Sequence, residues 1–498
     1  MTDALLQTKL PVAESFAAEY LEYYRMLPLE CTATHVRVAV AGEPHAEALD
    51  DLADSYGLPV EVVAVAPDAL RDAIRQTFAA SESVVELVKD LNADLGHAGE
   101  GSDEPLADAR DLANQPPVIR FVNLMIREAH EAAASDIHLE ATREGLRVRL
   151  RLDGVLAELP SPPRGLQAAV ISRIKLLAEL DIAERRAPQD GRIRVRLEER
   201  ELDLRVSTVP TLHGESVVLR LLDRGGRPVS LAELGMAPAM LTTFARLAGR
   251  AHGIVLATGP TGSGKTTTLY AALGLRRPTE EKVITVEDPV EYHLPHITQV
   301  PVHAKAGVTF GAALRSILRQ DPDVLMVGEM RDAETAAIAV QAAMTGHLVF
   351  STLHTNDAPS SITRLIDLKV EPYMIAATVE GVLAQRLVRR ICPECRERYR
   401  PDPAMTALVA GRPIGNLLLE RGRGCPSCRQ TGYRGRTGLF ELLVMSDALR
   451  SALLGRVDLG AIRQIAREEG MTALRQDAWA KVQAGLTTVE EVLRVVQD

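Results

Sequence analysis

The stretch GPTGSGKTT, residues 259–267, contains the residue types that bind nucleotide phosphates. It follows the apolar run GIVLAT and opens the helical pattern TTTLYAAL, which is the setting of a phosphate-binding loop between a strand and a helix. Glycines let backbone N–H groups curve around phosphate oxygens, and a helix N-terminus favours negative charge. We expect Lys265 to contact the β- and γ-phosphates of ATP and the Thr266 hydroxyl to bind Mg²⁺. The predicted nucleotide-binding residues are Gly259, Pro260, Thr261, Gly262, Ser263, Gly264, Lys265, Thr266 and Thr267.

Two acidic residues follow apolar runs that are candidates for buried strands. Glu329 lies in DVLMVGEMRD, and Glu287 lies in ITVEDPVEY, where Pro289 ends the run. At the carboxyl ends of parallel strands such carboxylates face a ligand, although adjacent acids such as Glu287 and Asp288 are also common in caps and turns. We assign Glu329 to Mg²⁺ and its waters, and Glu287 to polarising the attacking water. The reverse division remains open.

Two histidines flank a further strand candidate in TGHLVFSTLHTNDA. His354 follows the run, so it would lie at the carboxyl edge of a sheet, where it could contact the γ-phosphate and respond to its loss. His347 precedes the run. Either ring could instead cap a turn or fill a polar pocket, and the position of His354 favours a function there.

Four cysteines form two C-x-x-C pairs, CPEC with Cys392 and Cys395, and CPSC with Cys425 and Cys428. Thiolates at this spacing supply two ligands each to a tetrahedral Zn²⁺. The pairs are 29 residues apart, more than the ~15–20 residues of a compact zinc ribbon, so the intervening segment must carry structure of its own. The fifth cysteine, Cys31, is interpreted as a small buried apolar residue.

Strand and helix patterns alternate from about residue 236, which predicts a mostly parallel sheet with crossover helices. A cysteine-bearing insertion and a helix-rich tail follow. Before residue 236, two further α/β modules are separated by one acidic, polar linker. In the second module, LDGV is predicted to be the turn of a hairpin. The predicted boundaries are 1–90 for a partner-binding module, 91–115 for a linker, 116–222 for a second domain, 223–235 for a hinge and 236–498 for the P-loop domain, which includes a zinc subdomain at 388–440 and C-terminal helices at 445–498.

Charge is distributed unevenly along the 498 residues. Residues 1–110 contain 21 acidic and 7 basic residues, a net charge of −14, whereas the whole chain has a net charge of −10. An acidic N-terminal module suits a basic partner surface, and the overall balance argues against nucleic-acid binding. Apolar runs are too short for a membrane span, and the N-terminus lacks the form of a secretory signal. We therefore expect a cytoplasmic protein that meets the membrane indirectly, through a partner, and whose cysteines are reduced.

From about residue 115 to 498, the chain resembles the secretion and pilus traffic ATPases. The likeness is carried by ASDIHLE, RLRLDG, LDIAERRAPQDGRI and LRVSTVPTLHGESVVLRLL before the loop, and by EDPVEY, TFGAALRSILRQDPDVLMVGEMRD and AQRLVRRICPEC after it. The resemblance implies an ATP hydrolase with an α/β fold. Its parts are a RecA-like P-loop core, a preceding PAS-like α/β domain, a small N-terminal α/β module and a tetracysteine zinc subdomain.

The family also implies an oligomeric state and further site residues. Its members form hexameric rings, and arginines from the domain before the P-loop domain complete their active sites. By motif, those positions are Arg205 in DLRVST and Arg220 in VVLRLL. A guanidinium offers a fixed fork of donors to γ-phosphate oxygens; without the resemblance, an arginine on an alternating strand would be taken as solvent-facing or ion-paired. The family's catalytic glutamate matches Glu287.

Within the family, the likeness is greatest to the ATPases of type II secretion, whose short N-terminal module binds the inner-membrane platform protein called general secretion pathway protein L. Residues 1–90 suit that role in size and position. The resemblance implies a motor at the cytoplasmic face of the bacterial inner membrane that couples ATP hydrolysis to pseudopilus assembly and protein export. A pilus assembly ATPase is an alternative, although the Arg-Leu-Gly repeats usual there are not found. A nucleotide-gated scaffold is an alternative of another class, and a DNA-translocating motor is disfavoured by the acidic balance.

Overall fold

The computed structural model describes residues 16, 18–32, 34–79, 84–85, 87–89, 91, 113–197, 200–223, 229–413, 417–455 and 458–496. Most of the linker predicted at 91–115 and part of the hinge predicted at 223–235 lie outside these residues, as does the side chain of Cys31. The chain forms two compact units. The first unit consists of Met1–Leu150, Leu156–Ile193 and Arg205–Leu219. The second unit consists of Arg151–Val155, Arg194–Leu204 and Arg220–Asp498.

Strands and helices alternate along much of the described chain, as the sequence patterns predict. The strands, in chain order, are β1 (Met26–Cys31), β2 (Val36–Val40), β3 (Val60–Ala64), β4 (Asp136–Ala141), β5 (Leu146–Leu152), β6 (Val155–Leu159), β7 (Gln189–Leu197), β8 (Arg200–Thr211), β9 (Gly214–Asp223), β10 (Gly253–Thr258), β11 (Val283–Glu287), β12 (Thr298–Pro301), β13 (Val324–Val327), β14 (Leu348–Leu353), β15 (Val379–Ile391), β16 (Arg396–Tyr399), β17 (Leu419–Gly422) and β18 (Tyr433–Val444). The α-helices are Ala18–Tyr24, Ala46–Tyr56, Pro67–Ala79, Pro116–Glu131, Gln167–Leu177, Pro238–Ala248, Lys265–Leu273, Phe310–Ile317, Ala333–Met344, Ser360–Asp367, Pro372–Thr378, Pro403–Ala410, Asp447–Leu454, Leu459–Glu468, Leu474–Gln483 and Val489–Val495.

The N-terminal region contains a small three-stranded sheet in the order β1-β2-β3. β2 pairs antiparallel with β1 and parallel with β3, and its valines are buried because it is the central strand. The helices Ala18–Tyr24 and Pro67–Ala79 contact each other and β1. The α/β character predicted for this region is confirmed.

A six-stranded sheet has the order β6-β5-β4-β9-β8-β7. The turn between β5 and β6 is formed by Asp153 and Gly154, which have φ angles of 48° and 85°. Positive φ at both central residues is what a type I′ hairpin turn requires, and Asp-Gly is a favoured pair for it. The hairpin predicted at LDGV is therefore confirmed.

The largest sheet has seven strands in the order β12-β11-β13-β14-β10-β15-β18. Neighbouring strands are parallel except for the antiparallel pair β15 and β18. Apolar side chains pack on both faces, as Leu256 does on one face of β10 and Val255 on the other. Burial on both faces explains why the strands read as continuous apolar runs. The carboxyl ends of β10, β11, β13 and β14 meet at one edge of this sheet.

The region after β14 completes the sheet and adds helices. The long strands β15 and β18, which the sequence analysis did not predict, flank the cysteine-bearing segment, and four helices between Asp447 and Val495 form the predicted helix-rich tail. Among the described residues, no helix is both long enough and apolar enough to cross a bilayer.

Candidate active site

The predicted phosphate-binding loop lies between β10 and the helix Lys265–Leu273. Gly259 has a φ of 147°, and a Cβ at this position would lie 2.4 Å from the Gln385 carbonyl oxygen. Gly264 has a φ of 87°, and a Cβ there would lie 2.7 Å from the Gln385 side-chain nitrogen. Both positions require glycine because the loop turns through positive φ while pressed against β15.

The Lys265 side chain folds back over its own loop. Its ammonium donates hydrogen bonds to the carbonyl oxygens of Gly259 at 2.8 Å and Pro260 at 3.1 Å. Burial lowers the pKa of Lys265 to about 8, while Glu329 opposes this decrease and Arg386 adds to it. The cation therefore lies in a desolvated position where a phosphate would be a strong partner.

Residues of β15 form a wall behind the loop. The Thr268 hydroxyl donates to the Gln385 side-chain oxygen at 2.7 Å. Arg386 is 8% exposed, and within the part of the chain that the structure describes its hydrogen bonds go to neutral oxygens of Gln385 and Asn356. Sequence reasoning missed these residues, although a glutamine and an arginine inside the buried run VLAQRLV were a signal.

Glu329 follows β13 and lies in contact with two basic side chains. Its carboxylate oxygens are 2.7 Å from Arg331 Nη2 and 3.3 Å from His354 Nε2, and the side chain is 11% exposed. β10 and β14 end side by side in the parallel sheet, so His354 and the phosphate-binding loop follow neighbouring strand ends. The structure thus brings Lys265, Glu329 and His354 together. Arg331 was not singled out from the sequence.

Glu287 ends β11 and is 2% exposed. Tyr270 donates a short hydrogen bond to its Oε2, while Thr285 and Gln299 donate to its Oε1 at 2.6 and 3.1 Å. The Cα of Glu287 lies beside Gly328 of the neighbouring strand end, so Glu287 and Glu329 follow adjacent strands. Sequence reasoning did not identify Tyr270 or Gln299.

The remaining predicted residues lie elsewhere. His347 precedes β14, and its Nδ1 lies 2.8 Å from the Ala342 carbonyl oxygen at the end of a helix, away from the carboxyl edge. Its contact is that of a turn-capping residue. Arg205 is half-buried on β8 and Arg220 is exposed on β9 of the six-stranded sheet; their role at the ATP site stays a prediction.

The polar groups of the phosphate-binding loop fit a nucleotide. Among the described residues, the buried Ser263 Oγ has no hydrogen-bond partner, and the Lys265 ammonium contacts neutral carbonyl oxygens. An unpartnered hydroxyl and a buried cation beside a helix N-terminus fit a polyphosphate. The Thr266 hydroxyl and the Glu329 carboxylate supply oxygen donors of the kind that Mg²⁺ prefers.

The four predicted zinc ligands form one cluster. The Sγ atoms of Cys392, Cys395, Cys425 and Cys428 all lie within 4.8 Å of one another, with close pairs at 3.6, 3.8 and 3.9 Å. Four sulfurs around Zn²⁺ at ~2.3 Å would be about 3.8 Å apart. Burial raises the pKa of Cys428, but N–H donors from Cys425 and Gly432, together with the thiols of Cys425 and Cys395, outweigh it and lower the value to about 6. The donor set fits Zn²⁺, and β16, a helix and β17 fill the 29-residue separation, as expected.

Comparisons with known proteins agree with this geometry. The family of type II/IV secretion system proteins matches residues 111–494, and the MshEN domain matches residues 3–84. The type II secretion system protein E of Xanthomonas campestris pv. campestris is 46% identical over 493 residues, which are 98% of this chain and 86% of that protein. The type IV pilus assembly ATPase PilB of Myxococcus xanthus is 41% identical over 480 residues, which are 95% of this chain and 85% of that protein.

A solved structure supports the fold. The pilus retraction motor PilT with bound ADP superposes with a TM-score of 0.51 at 26% identity, over 75% of this chain and 96% of that one. Both the sequence match and the P-loop architecture point to the same group of proteins. The chain belongs to the type II/IV secretion system protein family.

Proposed function

We propose that this chain is the ATPase motor of a type II protein secretion system, coupling ATP hydrolysis to pseudopilus assembly and to export of folded proteins across the outer membrane. The observation that carries the proposal is the 46% identity to a type II secretion system protein E over nearly the whole chain, in a chain whose P-loop has an intact geometry. Burial of Lys265 beside Glu329 and His354 supports ATP as the substrate.

We assign each catalytic task to a residue at the carboxyl edge of the large sheet. Lys265 and the loop N–H groups bind the phosphates. Thr266 and Glu329 would hold Mg²⁺, which offsets phosphate charge when bound. Glu287 accepts a proton from the attacking water, and His354, through its contact with Glu329, responds to loss of the γ-phosphate. Arg205 and Arg220 would complete the site.

The proposed assembly is a homo-hexamer at the cytoplasmic face of the inner membrane, with residues 1–90 bound to the platform protein called general secretion pathway protein L. Acidic residues concentrated in this region support a basic partner surface. The identity of 41% to a pilus assembly ATPase supports a second candidate, in which the same motor extends a type IV pilus.

Steady-state hydrolysis by the full-length oligomeric protein tests the proposal. Glu287→Gln should retain ATP binding and lower kcat by at least about a hundredfold, as loss of a general base does. Lys265→Ala should lose both binding and turnover, while circular dichroism and melting temperature stay near those of the wild type. Normal turnover in the Glu287 variant would contradict the assigned base, and normal turnover in the Lys265 variant would contradict the P-loop assignment.

A further inference from the structure

A buried polar cluster surrounds the carboxylate of Glu287 on the side of the P-loop helix. The Tyr270 hydroxyl donates to Oε2 of Glu287, and the Thr285 hydroxyl donates to Oε1 at 2.6 Å. The Gln299 amide donates to Oε1 at 3.1 Å and lies 3.3 Å from the Tyr270 oxygen. Tyr270 is 1% exposed and Glu287 2% exposed, so water cannot readily replace these donors.

The sheet register fixes two of the donors. Thr285 precedes Glu287 by two residues on β11, so both side chains lie on one face. Gln299 of β12 is the parallel register partner of Thr285. The Gln299 amide is also oriented by its own contacts, because its Oε1 accepts from the Leu294 N–H at 2.8 Å. The amide nitrogen must therefore face the carboxylate.

The third donor comes from the helix that binds the phosphates. Tyr270 and Lys265 lie on the helix Lys265–Leu273, five residues apart, which corresponds to a rise of about 7.5 Å. Burial and the nearby Glu287 carboxylate raise the pKa of Tyr270, so the phenol keeps its proton and acts as a donor. One rigid element thus carries the phosphate-binding ammonium and a hydrogen bond to the base.

We infer that Tyr270 is a positioning residue that sets Glu287 relative to the bound phosphates, with Gln299 fixing the other carboxylate oxygen. This inference rests on the proposed function, in which Glu287 accepts a proton from the attacking water. The Lys265 ammonium and the Glu287 carboxylate are both held by one helix, so they keep their separation when the subunit moves. Such fixed geometry is what proton abstraction from a water beside the γ-phosphate requires.

A packing role is the competing explanation, since the Tyr270 ring makes an edge contact with Tyr292 at 4.7 Å. Tyr270→Phe keeps the ring and removes the hydroxyl, so a packing role would survive this change. Tyr292→Phe is the matched control, because it removes a hydroxyl from the neighbouring ring.

The experiment measures ATP hydrolysis by full-length protein. Steady-state rates give kcat and KM, and single turnover of γ-labelled ATP resolves the rates of the slow Glu287→Gln variants. Tyr270→Phe should lower kcat about tenfold, the usual effect of losing a hydrogen bond to a charged group, with KM for ATP within about twofold of wild type. Tyr292→Phe should stay within about twofold in both constants. In a Glu287→Gln background, Tyr270→Phe should change the rate by less than about twofold, since residues that act as one unit are not additive.

Each outcome decides between a positioning role and a packing role for Tyr270. Wild-type kcat in Tyr270→Phe, or an equal loss in the wild-type and Glu287→Gln backgrounds, would overturn the positioning role alone. Full activity in Glu287→Gln would overturn the assigned base and, with it, the inference. A loss confined to the wild-type background supports the inference.

Discussion

The surroundings of Lys265 fit the phosphate-binding role that we propose for it. Its ammonium contacts two carbonyl oxygens of its own loop, and burial lowers its pKa to about 8. At neutral pH the group is still mostly protonated, but it is poorly solvated. A bound phosphate would replace these neutral partners with a charged one, and this difference would favour binding.

The cysteine cluster allows a prediction at the same scale. Cys392→Ser should lower the zinc content below the ~1 ion per chain expected for a Cys₄ site and reduce the melting temperature, because metal binding stabilises the fold of such segments. Inductively coupled plasma mass spectrometry of the purified full-length protein measures the metal. Cys31→Ser is the control, since Cys31 belongs to neither C-x-x-C pair, and it should keep the wild-type zinc content. Equal zinc in the Cys392 variant would refute the site.

Spacing along the sequence predicted some residues of the candidate sites and missed others, for a physical reason. The P-loop and the C-x-x-C pairs act through local backbone geometry, so their spacing along the chain is sufficient. Tyr270 and Gln299 reach Glu287 because a helix packs on the sheet and β11 pairs in register with β12. Such contacts arise between elements, and no local pattern marks them.

At the scale of elements, the parallel sheet brings the candidate site residues together at the carboxyl ends of its strands. β10, β11, β13 and β14 were predictable because burial on both faces demands apolar runs. β15 was not, because Gln385 and Arg386 interrupt its run VLAQRLV. These polar residues are buried because they line the wall of the phosphate-binding loop. The two polar residues therefore obscure the apolar pattern that would have identified the strand.

The last helix, Val489–Val495, is joined to β15 by a buried carboxylate. Glu491 is 1% exposed and accepts hydrogen bonds from Arg389 at 2.8 to 3.1 Å and from Arg494 at 2.5 and 3.0 Å. Burial raises its pKa, but the two arginines outweigh burial and lower the value to about 2. The carboxylate thus stabilises the folded state in its charged form.

This contact predicts a pH dependence. A carboxyl group with a depressed pKa contributes its stabilisation above its unfolded pKa and loses it as pH falls from about 4.5 toward 2. Glu491→Gln should remove this part of the acid sensitivity and cost about 1.5 to 3 kcal/mol at pH 7, because the half-buried Arg389 and the exposed Arg494 lose their hydrogen bonds to a charged group. Fluorescence of Trp479, the single tryptophan, follows unfolding of this region.

The exposed neighbour provides the control for that experiment. Glu490→Gln changes the same kind of group on the same helix and should leave both the stability at pH 7 and its acid dependence near wild type. A Glu491 variant that lost stability in parallel with the wild type between pH 5 and 2 would show that other groups control the acid transition.

At the scale of the whole molecule, the N-terminal region and the P-loop domain differ in net charge. Residues 1–110 have a net charge of −14, and the MshEN match covers residues 3–84. The motor motifs follow from about residue 115. Charge and periodicity change there and predict a domain boundary, whereas a partner-binding surface would depend on which side chains the small sheet presents together.

The N-terminal region should therefore determine the partner while leaving hydrolysis to the rest of the chain. Replacing residues 1–90 by the corresponding region of a type IV pilus assembly ATPase should abolish binding to the cytoplasmic part of the secretion platform protein. Basal ATP turnover should stay within about threefold, because the phosphate-binding loop and the carboxyl edge of the seven-stranded sheet lie in the C-terminal part of the chain. Binding by the unmodified protein should weaken as salt rises from about 50 to 500 mM, since an acidic surface attracts a basic partner by screened charges. Pull-down with the purified platform fragment measures binding, and phosphate release measures turnover. A chimera that still bound the secretion platform would contradict the prediction, because residues 1–90 would then not determine the partner.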